Sequence, residues 1–365
     1  MLRRLPIYRL LLLVGLVIVA GVSATAIALA LGSSEKPPQR PLAQAVHDAL
    51  SAPAVEGVSA SVTLTDHLLE GASLASGSGQ GGEVASNPLL AGASGRLWIA
   101  KDGRARLELQ AEKGDTQIIY AGSTLSVYDA ASNTLYRYKP PAADTTASPP
   151  TPGKSHETPS VAKVEEAIAH LSKHATLSGA TPDNVAGAPA YTVRVSPKQG
   201  GSLLGGAELS FDAANGAPLR AAIYSSTSSS PVLELAATQV SFGTVPDSVF
   251  SFTPPANAKI EEIATSTTDA HASLPHKYDT GAKPKLTTHG SGPAAIAVLE
   301  SKLPAGKSGS SAALDALPKV KINGANASEL RTALGTLLSF ERSGVRYVLA
   351  GSDTPATIEA LARGL

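Results

Sequence analysis

The sequence predicts an α+β fold: antiparallel sheet with one apolar and one solvated face, packed against amphipathic helices. Two observations carry this. From residue 96 onward apolar residues alternate with polar ones in short runs separated by Gly, Asn and Asp turns, the mark of half-buried strands. Between two such groups lies VAKVEEAIAHLSKH (161–174), where Val161, Val164, Ile168 and Leu171 form one helical stripe. Composition sets the limits. The chain has 365 residues, more than one average domain, with 30 Lys+Arg balanced by 30 Asp+Glu. That balance argues against a nucleic-acid partner, which needs a basic face. There is no cysteine, which excludes disulfides, thiolate metal sites, Cys nucleophiles and a lipid-modified N-terminal cysteine. Aromatics are only 4%, so the core must be built from Leu, Val, Ile and Ala.

The elements follow in order. Arg3, Arg4 and Arg9 precede an uncharged run from Leu10 to Leu31, long enough to span a bilayer as a helix. Basic residues in front place the N-terminus in the cytoplasm and the rest outside. A cleaved signal peptide is the competing reading, with Ala24-Thr25-Ala26 or Ala28-Leu29-Ala30 as the cleavage site; the length of the run favours an uncleaved anchor. Residues 33–40 read as a linker. PLAQAVHDALSA (41–52) reads as a short helix with Leu42, Val46 and Leu50 on one face. GVSASVTLTD (57–66) is strand-like, and 71–95 is a Gly/Ser-rich loop. RLWIAK, RARLELQ, TQIIYAG, TLSVYDA and TLYRYK (96–139) are five strands. Leu107 and Leu109 share a face opposite Arg106, Glu108 and Gln110. Trp98 shares its parity with Ala100, which puts it on the opposite face from Leu97 and Ile99 or under the Gly/Ser loop.

After a Pro/Thr/Ser-rich connection (140–160) and the 161–174 helix, strands resume in AYTVRV (190–195), AELSFD (207–212), PLRAAIYS (218–225) and VLELAATQVSF (232–242). Ala214-Asn215-Gly216 is a hairpin turn. PDSVFSFTPP (246–255) ends the unit, and 263–292 is polar enough to be a linker. In the last stretch AAIAVLESKL (294–303) reads as a helix, and 317–324, 333–340 and 345–351 as strands. TPATIEALARGL (354–365) is a terminal helix with Thr354 as N-cap and Pro355 at the first helical position.

No catalytic constellation survives inspection. His170 and His174 lie four apart behind Glu166, a spacing that can present metal ligands, but the H-E-x-x-H pattern is missing and a solvated helix face explains them better. Gly77 to Gly82 formally matches G-x-G-x-x-G but lacks the flanking strand and helix that hold a pyrophosphate. Gly153-Lys154-Ser155 and Gly306-Lys307-Ser308 lack the upstream P-loop glycine, Ser148 and Ser301 standing there. There is no G-x-S-x-G elbow. An enzyme is therefore the weakest hypothesis.

Residues 94–138 (SGRLWIAKDGRARLELQAEKGDTQIIYAGSTLSVYDAASNTLYRY), with GAPAYTVRVSPK (187–198), AELSFDAANGAPLRAAIYS (207–225) and VPDSVFSFTPPANAKI (245–260), resemble the LolA-like family of bacterial lipoprotein carriers. The family pattern is a run of strands rather than a catalytic signature. The resemblance implies a strongly curved antiparallel sheet, an incomplete barrel, closed by helices over an apolar cavity that receives acyl chains. Related sensors of the RseB type use that fold to report envelope stress. The ending, 337–365, resembles a small module of such envelope proteins. The division is then 1–32 anchor or signal helix, 33–55 linker and short helix, 56–262 half-barrel, 263–292 linker and 293–365 small α+β module. Parity assigns Leu107, Leu109, Ile118, Tyr120, Leu125, Val127, Val193, Leu209, Phe211, Leu219 and Ile223 to the cavity face. Two functions follow: a membrane-anchored binder of lipid acyl chains or lipoproteins, or a regulatory protein binding a membrane protein. Neither needs a cofactor. The uncleaved anchor, the long loop and the extra module depart from a free carrier and favour a tethered protein. A large apolar cavity favours the first function; a collapsed core with an exposed apolar face favours the second.

Overall fold

The computed structural model describes residues 36–69, 92–111, 114–139, 158–263, 285–303 and 317–365. The 10–31 apolar run, the Gly77–Gly82 stretch, both Gly-Lys-Ser stretches and most of the 71–95 and 140–160 connections lie outside them. Among the described residues no helix is long and apolar enough to cross a membrane.

Two sheets dominate. The first contains β1 (Gly57–Asp66), β2 (Ala93–Ala100), β3 (Ala105–Ala111), β4 (Gly114–Ala121), β5 (Thr124–Asp129), β6 (Thr134–Tyr138), β7 (Ala175–Leu177), β8 (Thr181–Val185), β9 (Ala188–Pro197), β10 (Leu204–Asp212), β11 (Pro218–Ser225), β12 (Pro231–Phe242) and β13 (Lys259–Ile263). Its order is β13-β6-β5-β4-β3-β2-β1-β12-β11-β10-β9-β7, with β8 also on β9. The sheet is open, and β1 joins the two strand groups at its centre by pairing with β2 and β12. All pairs are antiparallel except β13 and β6, which run parallel, so the expectation of a purely antiparallel sheet fails at this edge. The chain reaches β13 by passing across the sheet after β12, and arrives beside β6 in its direction. Register shifts at Ser61/Val62, at both ends of β10 and at Ile223/Tyr224 introduce extra residues, which bend and twist strands. The bend is visible at one end: β8 touches β12 although β9, β10 and β11 lie between them. There Val185 and Ala190 pack with Leu219, Val240 and Phe242.

Among the described residues two helices accompany this sheet, α1 (Leu42–Ser51) and α2 (Val161–Leu171), and they touch each other. The α1 stripe is not the one expected. Leu42, Ala45 and Ala49 face the sheet, against Ala180, Tyr191 and Phe211, while Leu50 is 48% exposed. Small alanines let the helix approach backbone: a Cβ on Gly216 would lie 2.7 Å from the Ala49 carbonyl oxygen. Ser160 caps α2 by accepting from the Lys163 amide, and Val164 is its buried residue.

The second sheet is ordered β14 (Lys285–His289), β15 (Ile296–Lys302), β19 (Val345–Gly351), β18 (Gly335–Arg342), β17 (Ala325–Thr332), β16 (Lys319–Ile322). Helix α3 (Pro355–Arg363) lies on one face, where Ile358 and Ala362 pack with Ile296, Val298, Leu338 and Leu349. Thr354 caps it, accepting from the Thr357 amide. The helix expected over 294–303 is β15 instead. Its run of Ile296, Val298 and Leu299 fits either period, and pairing on both sides by β14 and β19 decides for the strand. The sheet thus begins at Lys285, within the stretch read as linker. The sheets meet at turns: the Leu203 amide donates to the Ser352 carbonyl (2.5 Å) and the Ala333 amide to that of Leu68 (3.0 Å).

Candidate functional site

Residues directly opposite on neighbouring strands project to the same face, so the registers trace each face of the large sheet. Leu97, Leu107, Ile118, Val127 and Tyr136 form one row across β2 to β6. Ala105, Tyr120, Leu125 and Tyr138 form the next. Leu64, Leu235, Ala221, Leu209 and Val193 continue the face across β1 and β12 to β9, beside a row of Leu233, Ile223, Ala207 and Val195. One apolar face therefore runs from β6 to β9, and in these rows the one charged position is Asp66, opposite Leu233 at the end of β1. The expected candidates all lie on strands at positions of this face, but they differ in accessibility. Leu109 is fully buried opposite Gly95, which leaves it room. Phe211 is buried under α1 with its ring centroid 6.0 Å from that of Tyr191. Leu219 is buried against Val185 and Ala190. Leu107, Ile118, Tyr120, Leu125, Val127, Val193, Leu209 and Ile223 remain half-buried. Sequence reading missed Leu97, Tyr136, Leu233 and Leu235, although the same parity, extended one strand further, finds them.

The opposite face is mixed and braced, with charged side chains beside the buried Ile119, Tyr128 and Leu135. The segment after β12 crosses it and forms a 3-10 turn at Asp247–Phe250. Trp98 packs here with Ala100, Val245, Val249 and Phe250, which settles its face. Arg104 pairs with Asp102 and Asp247 (both 2.7 Å) and stands over the Phe250 ring at 4.8 Å. Arg106 donates to the Val249 carbonyl (2.7 Å) and Gln117 Oε1 (2.9 Å), and pairs with Glu108. Arg106→Met is expected to free the 247–252 segment. It costs about 1–2 kcal/mol and raises hydrogen exchange there while β10 and β11 stay protected; unchanged exchange would show that the apolar contacts suffice.

Further along this face Arg194, Glu208, Arg220 and Glu234 alternate across β9 to β12. Glu208 accepts from Arg194 (3.2 Å), Arg220 (2.9 Å) and the Tyr224 hydroxyl (2.7 Å). Burial pushes the Glu208 carboxyl up, but these donors outweigh it and hold it below the ordinary range.

Among the described residues there are two recesses to consider, and neither is lined by any of the apolar candidates. One, about 110 Å³, lies on the braced side between Ile119, Leu135, Phe250 and Phe252. The other, about 420 Å³, opens between the β9–β10 and β11–β12 turns. Among the described residues no group of three His, Asp or Glu side chains comes together to hold a metal. His170 and His174 are exposed with ring centroids 6.4 Å apart.

The chain is similar to MucB. The Pseudomonas aeruginosa MucA/MucB complex matches at 14% identity over 88% of this chain and 94% of that chain, with a TM-score of 0.43. MucB crystallised with the periplasmic part of MucA matches over the same shares at a TM-score of 0.42. The LolA superfamily protein NE2245 from Nitrosomonas europaea is 10% identical over 87% of this chain and 97% of that chain, with a TM-score of 0.19. No family model matches the chain, and no curated protein matches it in sequence.

Proposed function

We propose that this is a tethered, extracytoplasmic binding protein of the cell envelope. In this reading it receives an apolar segment of a membrane-protein partner on the apolar face of its large sheet. The observation that supports it is the face itself, continuous over ten strands and half-buried along Leu107, Ile118 and Val127. A continuous apolar face of this extent that stays partly accessible is a candidate interaction site. The acyl-chain reading needs an enclosed apolar volume, and among the described residues the two recesses are a polar one and one of about 110 Å³, room for about four water molecules. Alkyl burial stabilises by about 0.8 kcal/mol per CH₂ only where the chain leaves water.

The test is photo-crosslinking in the native envelope, with the reactive group at position 127 of the full-length protein and lipid extraction in parallel. A discrete protein adduct, lost in Ile118→Asp of unchanged melting temperature, is the expected result. Stoichiometric acyl lipid without a protein adduct, lost in the same variant, would transfer the function to lipid binding. An adduct indifferent to Ile118→Asp would remove this face from the function altogether.

A further inference from the structure

The 420 Å³ recess lies away from the apolar face and has a different chemistry. Its walls are the turn between β9 and β10 and the Ser-rich turn between β11 and β12. Two cations, Arg194 and Lys198, line it, and no carboxylate does. We propose that this recess binds a phosphate-type oxyanion, as a free phosphoester or as a lipid headgroup.

Arg194 is held in place from behind, its guanidinium 4.2 Å above the Tyr224 ring and one Nη on Glu208, so that a rigid fork keeps further donors for a ligand. Within the ladder Arg194, Glu208, Arg220 and Glu234 cancel in charge. Lys198 does not belong to it: its Nζ donates to the neutral Ser172 carbonyl and keeps its charge and two donors. Among the lining side chains Lys198 is therefore the cation without a carboxylate partner. Gly200 and Gly201 supply the third component. Their amides meet no acceptor among the described residues, a Cβ at either would meet nothing within 4 Å, and Gly201 has φ +95°. Consecutive free amides in such a turn form an anion-binding concavity, and the missing side chains let a ligand reach the backbone. Ser226 adds a hydroxyl from the facing turn. The volume accommodates a phosphate with a small polar substituent.

The test uses the full chain in nanodiscs of a zwitterionic lipid. Its melting temperature is followed against inorganic phosphate and glycerol 3-phosphate, with chloride at matched ionic strength as control. Saturable stabilisation by both phosphates but not by chloride is expected. Arg194→Gln should weaken apparent affinity about tenfold or more, the loss of a charge-assisted pair of hydrogen bonds. Because Arg194→Gln also releases Glu208, Lys198→Glu is the decisive variant: Lys198 is exposed, its change leaves the ladder intact, and it should abolish the effect at unchanged ligand-free melting temperature. Sedimentation with phosphatidylglycerol vesicles separates the sources. Lys198-dependent cosedimentation identifies a headgroup, and its absence beside phosphate binding identifies a soluble phosphoester. Stabilisation that never saturates, equals that of chloride or survives Lys198→Glu would overturn the site.

Discussion

Gly95→Ala is expected to lower the stability of the large sheet by about 3 kcal/mol or more, placing it at or beyond the upper end of ordinary overpacking. The added Cβ would stand 1.8 Å from the Glu108 carbonyl oxygen and 3.1 Å from the Leu109 Cα. Neither atom is the free end of a side chain. Both belong to β3, which is held by ladders to β2 and β4, so relief requires moving a central strand. Gly95 also faces Leu109 on the apolar side, and Leu109 has 0% exposure. A fall of about 6–12 °C in melting temperature is the corresponding signal for a unit of this size. Gly179→Ala is the control, since a Cβ there meets nothing, and it should stay within about 0.5 kcal/mol of wild type. Equal melting of the two variants would mean that β2 and β3 separate at little cost, and the sheet's continuity through β1 would then need another explanation.

Gly95 shows what sequence reading can and cannot reach. Its neighbours carry period-two alternation, and that signal located β2 to β6 and β9 to β12 and put Leu107, Ile118 and Val127 on one face. Alternation is local chemistry, so it survives without knowledge of partners. It could not say which of those residues are covered: Leu109 and Phe211 read like Leu107, and only the glycine opposite and the helix above separate them. Short elements defined by pairing were illegible for the same reason. β13 has the pattern of a solvated tail, and it is a strand because β6 offers an edge. β15 satisfies a helical and an extended period equally. In α1 the large residues Val46 and Leu50 suggested the packing stripe, but close approach to Gly216 favours the alanine side. The anion recess had no sequence signal beyond a glycine pair, because one cation stands on β9, the other in the turn after it, and the hydroxyl comes from another turn.

Arg220→Met is expected to be the most damaging change on the braced face, at about 3 kcal/mol. Arg220 donates to Glu234 through Nε (2.7 Å), to Glu208 through Nη1 (2.9 Å) and to the Tyr224 hydroxyl through Nη2 (2.9 Å). Removing it strands Glu234 and leaves Glu208 with Arg194 and Tyr224. Breaking a buried pair from one side costs about 3–5 kcal/mol, and side chains that keep 16–21% of their exposure place this one at the lower end. Arg220→Lys should recover only part, since an ammonium cannot span three acceptors. The pH dependence identifies the cause. Glu208 is held below its ordinary value of 4.5, so its ionisation stabilises the fold fully above that pH. The contribution disappears as pH falls through the depressed folded value. Wild type should therefore lose stability steeply below about pH 4.5. Arg220→Met, already without Arg220's share of the favourable ionisation, should lose less, so that the two denaturation curves converge in acid. A gap constant from pH 7 to pH 3.5 would assign the damage to lost packing of the arginine stem. Adding Glu234→Gln to Arg220→Met should restore part of the loss at pH 7, because it removes the stranded charge. None of these changes touches the row from Leu97 to Tyr136, so a folded Arg220→Met protein should still crosslink its partner through position 127. Loss of that adduct with the fold intact would show that the two faces of the sheet are energetically coupled.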